Sequence, residues 1–289
     1  MFDFEKVLTP IKESEWKDKI QLTEYLLNVL SQIKNLTEYD RRGLLDFAGE
    51  QVKLLLEEIP GKKDYKEKDR CCAYGDRILA IYPTIDPSRK TVTEEELSCA
   101  NELHRLMEEA RPIETAIQRI FEQKTIEGVF IDRLLSFARN ASGEYEKGKL
   151  YVGMAGNKDR LNGLPDTAKE KLTEYLEMEL ERYLHLPVPD EDVLNAWEIA
   201  ADIAKYFGSE KVCELLTQTS KAGHGNVSFY AVESLIELEA PVPNESISEL
   251  AADPVFAELT YQMLKKNGRA SLFPTELASP EYLAKSDLI

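Results

Sequence analysis

Cysteine, histidine and tryptophan are all scarce in this 289-residue sequence, at 4, 3 and 2 residues. Cys71, Cys72, Cys99 and Cys213 are too few for the disulfide framework of a small secreted domain, and the adjacent Cys71-Cys72 pair does not suit one, so the usage is that of a reducing compartment. Their spacing also fails to converge on a metal. Side chains at Cys71 and Cys72 diverge by about 100° on a helix, Cys99 and His104 point to different faces, and no His-Glu-x-x-His occurs. Asn101, Arg182 and Lys221 stand three residues before His104, His185 and His224, so the Glu-x-x-His pairing of di-iron bundles is absent too. Three histidines and no Gly-x-Ser-x-Gly elbow leave a histidine-activated nucleophile with little to draw on. We expect no catalytic residue, no metal and no cofactor.

Long apolar runs are missing as well. Nowhere do 18 apolar residues follow one another, and Met1-Phe2-Asp3-Phe4-Glu5-Lys6 has neither a basic n-region nor an apolar h-region, so the expectation is a cytoplasmic protein. No basic patch is found: the nearest, Lys62, Lys63, Lys66, Lys68 and Arg70, is interrupted by Asp64, Glu67 and Asp69 and reads as a solvated face of mixed charge. Gly143-Glu144-Tyr145-Glu146-Lys147-Gly148-Lys149-Leu150 has the spacing of a phosphate-binding loop but puts Leu150 where the magnesium-binding hydroxyl belongs and two carboxylates where phosphate would lie.

What is plentiful is acid. The 53 acidic side chains outnumber 36 basic ones, for a net charge of −17. Such a field repels phosphate backbones and anionic lipid, so neither nucleic acid nor a membrane is the expected partner. A hydrophobic content of 43% suffices for one large core or two modest ones.

The apolar residues recur at helical spacing almost throughout. Ser14 caps a predicted amphipathic helix carrying Ile20, Leu26, Val29 and Leu30, Thr37 caps a second that stops at Pro60-Gly61, and a third runs from about Asp64 to Ile81, ended by Tyr82-Pro83. Thr93 with Glu96 forms a capping box, so Glu94-Glu95-Glu96 is a helix start. Pro112 opens the next helix and Thr125 to Arg139 makes another. Five glycines between Gly143 and Gly163 suggest that helical order lapses there. The expected organisation is therefore a helical region 1–142, a Gly-rich connection 143–165 and a helical region 166–289. In the last, a long helix starts at Asp166, Ser209 caps a short one, and Gly223-His224-Gly225-Asn226 is a turn with Asn226 as cap.

No strand alternation is found, so the fold is expected to be all-α, built of antiparallel helical hairpins. Three helices, opening at Val193, Val227 and Val255, follow one another in similar patterns, with Ala231-Val232 and Leu235 in the second. The series Val193 to Tyr206, Glu210 to Thr219 and Val227 to Leu238 resembles the paired helices of HEAT-like and armadillo-like repeats. That resemblance implies an α-solenoid or α-α superhelix with a binding surface. The repeat spacing here, 34 and then 28 residues, is shorter than the family's. Trp197, Tyr230 and Tyr261 fall at corresponding stages of the three helices and line either a recognition surface or the core. With His224, Asn226 and Glu233 they are the candidate binding residues.

Residues 190–289 carry 17 acidic and 7 basic side chains, a denser charge than the rest. Two functions are expected from this. The first is an interaction scaffold or adaptor that docks a basic protein or peptide on an acidic repeat surface. The alternative is an enzyme or small-molecule binder with an inter-helical pocket, using dispersed Asp and Glu side chains, marked by buried carboxylates of raised pKa.

Overall fold

The computed structural model describes residues 4–33, 35–88, 90–122, 128–187 and 189–283. Among these residues the chain is all-α, with sixteen α-helices, three short 3-10 turns and no strand. No helix of the described residues is long and apolar enough to cross a membrane. The chain divides between Thr115 and Ala116 into two compact units.

The first unit holds α1 (Glu5–Glu13), α2 (Trp16–Gln32), α3 (Glu38–Gly61), α4 (Tyr65–Ile85) and α5 (Glu94–Ala110). Local chemistry sets most of the ends. Thr37 accepts from Asp40 N at 3.1 Å, Asp64 accepts from Glu67 N at 2.9 Å, and the Thr93–Glu96 capping box is complete. Ser14 differs from its expected role: its hydroxyl donates to the Pro10 carbonyl at 2.7 Å and closes α1, while α2 begins at Trp16 behind Glu15 with no side-chain cap. Nor does Pro83 end α4. Asp86 N still reaches the Tyr82 carbonyl at 2.9 Å and Thr84 Oγ1 the Ala80 carbonyl at 2.7 Å, so the last turn holds without the proline N–H. Helices α2 and α3 both pack on α4, and α5 packs on α3 and α4. Leu26, Leu44, Val52, Leu55 and Ile78 fill the core. Cys71 and Cys72 are wholly buried there, and burial pushes their thiols up to about 11 and about 12, so they act as small hydrophobes.

The division falls inside α6 (Pro112–Glu122), which opens on its proline. Next comes α7 (Gly128–Arg139); the expected start at Thr125 lies outside the described residues. The stretch 143–165, expected to be a connection, is mostly helix: α8 (Glu144–Gly156) and α9 (Lys158–Leu161) occupy it. Its glycines include a packing device. A Cβ on Gly153 would lie 2.5 Å from Ile117 Cδ1, so glycine is what lets α8 approach Ile117 so closely.

The second unit continues with α10 (Asp166–Leu184), α11 (Glu191–Ile203), a 3-10 turn Ala204–Tyr206, α12 (Glu210–Thr219), α13 (Gly225–Glu237), α14 (Asn244–Ala252), α15 (Ala257–Lys266) and α16 (Pro280–Leu283). Ser209 caps α12 as expected, accepting from Val212 N at 3.0 Å. The cap position of α13 is taken by His224, so Asn226 lies inside the helix instead of capping it. Within this unit α8 packs on α11 and α11 on α13, while α7 packs on α10 and α10 on α12. The hairpin partners α12 and α13, and α14 and α15, also pack together.

Candidate functional site

Two like-charged pairs at i, i+4 spacing mark the facing sides of α11 and α13: Glu198 with Asp202, and Glu233 with Glu237. Such pairs each cost a helix about 0.2–0.5 kcal/mol, so a sequence holding two of them on packed neighbours concentrates negative charge against local preference. The 3-10 turn after α11 supplies one cation. Lys205 Nζ lies 2.7 Å from Asp202 Oδ1, 3.6 Å from Glu233 Oε2 and 3.9 Å from Glu237 Oε1. Burial works to lower the Lys205 pKa, but the hydrogen bond and charge of Asp202, then Glu233 and Glu237, outweigh it and raise it.

One ammonium does not balance these carboxylates. Burial raises the pKa of Glu198, the nearby charge of Asp202 adds to it, and only a hydrogen bond with Asn226 opposes. Glu233 is raised in the same way by burial, against the charge of Lys205 and with the charges of Asp202 and Glu237 adding to it. Tyr230 shares this field: burial first, then Glu198, Asp202 and Glu233, raise its hydroxyl. The result is a half-buried acidic face edged by the rings of Tyr230 and Tyr206.

Behind it lies an aromatic and ionic core. Trp197, at 3% exposure, stacks on Tyr183 at 5.9 Å and meets the His224 ring edge at 6.1 Å. Tyr183 donates to Glu144 at 3.0 Å, and Arg182 bridges Glu144 at 2.7 Å and the buried Glu179 at 2.6 Å. Lys147 reaches both Glu179 oxygens at 3.4 Å. Tyr151 is buried among Tyr183, Tyr175 and Glu179, and burial, then their charges, push its hydroxyl well above the ordinary range. This network fixes α8, α10 and α11 against one another and so sets the position of the acidic face.

Of the six residues expected from sequence, Asn226, Tyr230 and Glu233 lie on this face and His224 beside it. Trp197 belongs to the core behind it. Tyr261 is not part of the group: it packs edge-on against Phe273 at 5.3 Å in the apolar cluster of Val232, Ile247, Leu250, Phe256 and Leu264. Sequence reasoning missed Glu198, Asp202, Lys205, Tyr206 and Glu237, and the doubled i, i+4 acidic spacing was the signal that would have found them.

Among the described residues no group of three or more His, Cys, Asp or Glu side chains is arranged to hold a metal. Among the described residues, open clefts include two in the first unit and one in the second between α12 and the Ala240–Pro243 loop, and neither Glu198 nor Glu233 lines these. Comparison with known proteins gives no match to a family model, to a curated protein or to a solved structure.

Proposed function

We propose that the second unit is a docking module whose α11–α13 face binds a basic segment of a protein or peptide. One observation carries this reading: Asp202, Glu233 and Glu237 gather around a single cation, Lys205, with Glu198 beside Asp202, and burial first, then the neighbouring carboxylates, raise the pKa of Glu198 and Glu233. An incoming Lys or Arg side chain relieves that excess, and the Tyr230 and Tyr206 rings offer faces on which its alkyl stem or guanidinium can lie. The reading extends to a HEAT-like stack of hairpins, supported by the two rows α8–α11–α13 and α7–α10–α12. It places the protein in the cytoplasm, where its four free cysteines suit a reducing medium.

An enzymatic reading would rest on the same raised carboxylates. The clefts described above are lined by other residues. The test is fluorescence anisotropy with labelled Lys/Arg-rich peptides and an acidic control of equal length. Binding of the basic peptides that weakens with added salt, and that falls about tenfold or more in Glu198→Gln/Glu233→Gln/Glu237→Gln, is expected. Equal binding of the acidic control, or an unaffected triple variant, would refute the assignment.

A further inference from the structure

Lys205 holds the middle of the α11–α13 face. Its side chain is mostly buried, and of its three carboxylate neighbours only one is within hydrogen-bond distance: Asp202 Oδ1 lies at 2.7 Å, whereas Glu233 Oε2 and Glu237 Oε1 lie at 3.6 Å and 3.9 Å. The close partner comes from the same stretch of chain, at i, i+3 spacing, and the two distant ones belong to the facing helix, α13. The bond that holds Lys205 is therefore local, and it does not require the ammonium to stay over α13.

The backbone beneath this lysine is fixed on both sides. Ser234 Oγ donates to the Ala201 carbonyl at 2.6 Å and to the Asp202 carbonyl at 3.2 Å, which pins the end of α11 to α13. Past the 3-10 turn, a Cβ on Gly208 would lie 2.6 Å from Leu238 Cδ2, so the chain runs close against the end of α13 there too. What is left to move is the lysine side chain, a flexible four-carbon stem with a compact, strongly hydrated head. Rotation about that stem takes the ammonium off Glu233 and Glu237 without shifting either helix.

A second cation has no equivalent position while Lys205 is in place. Two ammonium groups in contact repel, so a lysine or arginine from outside gains Glu233 and Glu237 only as Lys205 leaves them. The exchange favours the incoming group. It is not tethered to the turn and approaches from solvent, so it reaches hydrogen-bond distance of carboxylates that Lys205 meets only at 3.6 Å and 3.9 Å.

We propose that Lys205 is an internal placeholder for the partner: its ammonium occupies, over Glu233 and Glu237, the position that a basic side chain of the docked segment takes, and docking displaces it. This rests on the reading of the α11–α13 face as a docking site and adds how that site is regulated. The unbound face is self-inhibited, and affinity is set by how readily Lys205 yields.

The probe is the labelled Lys/Arg-rich peptide, titrated into full-length wild type, Lys205→Met and Lys205→Arg. Wild-type lysine side chains are followed by 13Cε NMR, with the Lys205 signal assigned by its absence from Lys205→Met. Lys205→Met, which empties the position, should bind about tenfold tighter even though it loses an ion pair and melts lower. Lys205→Arg, which holds the α13 carboxylates with a planar fork, should bind several-fold weaker. Saturation of the wild type should move the Lys205 signal toward those of exposed lysines. Binding in Lys205→Met that is no tighter than in the wild type would overturn the placeholder. So would an unshifted Lys205 signal at saturation, because tighter binding without that shift is a through-space effect of charge. Should Lys205→Met fail to fold, Lys205→Arg assigns the signal and decides with it. Absence of peptide binding in wild type and Lys205→Met alike is a separate result, which overturns the docking reading itself and this inference with it.

Discussion

Asp86 ends α4 by accepting from Thr91 N and Thr91 Oγ1 at 2.7 Å each and from Ser88 Oγ at 3.1 Å, and these bonds hold its carboxyl down at about 2. A folded-state pKa below the unfolded one adds stability that is present above the unfolded value and lost as pH falls through the folded one. Asp86→Ala should therefore melt below the wild type at neutral pH, with the gap closing between about pH 4 and pH 2. A gap that persists at pH 2 would show that the loop is held by something else. Glu233 has the opposite sign. Its pKa is raised, by burial first, so the folded protein binds the proton more tightly than the unfolded chain does, and the ionised form is a cost to stability as pH rises. Glu233→Gln should raise the melting midpoint at pH 7, and the gain should shrink as pH falls toward the ordinary carboxylate range. Lys205 tolerates the change because Asp202 stays 2.7 Å away. A lower midpoint at pH 7 would mean that the Lys205 contact outweighs the burial cost.

At the scale of elements, what the sequence revealed was what depends on neighbours along the chain. Thr37, Thr93 and Ser209 act as caps because the bond runs to an N–H three residues on, a geometry already present in the spacing. Ser14 and Asn226 carry the same side-chain chemistry but do not cap: Ser14 closes α1 on the Pro10 carbonyl, and α13 begins at Gly225 behind His224, which puts Asn226 inside the helix. The glycines of 143–165 misled for a related reason: Gly153 is set by Ile117, far away in sequence. The candidate face was legible only in part. Tyr230 and Glu233 stood out on one helix, whereas pairing them with Glu198 and Asp202 needed the packing of α11 on α13. Gly225, in the turn that starts α13, tests the packing view directly. An added Cβ there would lie 2.3 Å from the Phe256 ring, so Gly225→Ala should cost about 1–3 kcal/mol. A variant of wild-type stability in chemical denaturation would mean that the ring moves freely.

For the whole molecule, the division into two units places the proposed acidic docking face within one compact body, residues 116–289. The net charge of −17 speeds the approach of a basic partner but does not select the docking place. In the proposed docking, selection rests on Glu198 and Glu233, whose pKa values burial raises, and this gives the binding a signature that a diffuse acidic surface lacks. A cation bound between Glu198 and Glu233 lowers their pKa values and drives protons off, so association below neutral pH must release protons to the buffer. Calorimetric titration of a Lys/Arg-rich peptide at about pH 5, in two buffers of different ionisation enthalpy, measures that release. The predicted result is proton release in the wild type and none in Glu198→Gln/Glu233→Gln, with weaker binding. Peptide binding with no proton release, or with the same release and affinity in the double variant, would contradict the assignment of the α11–α13 face.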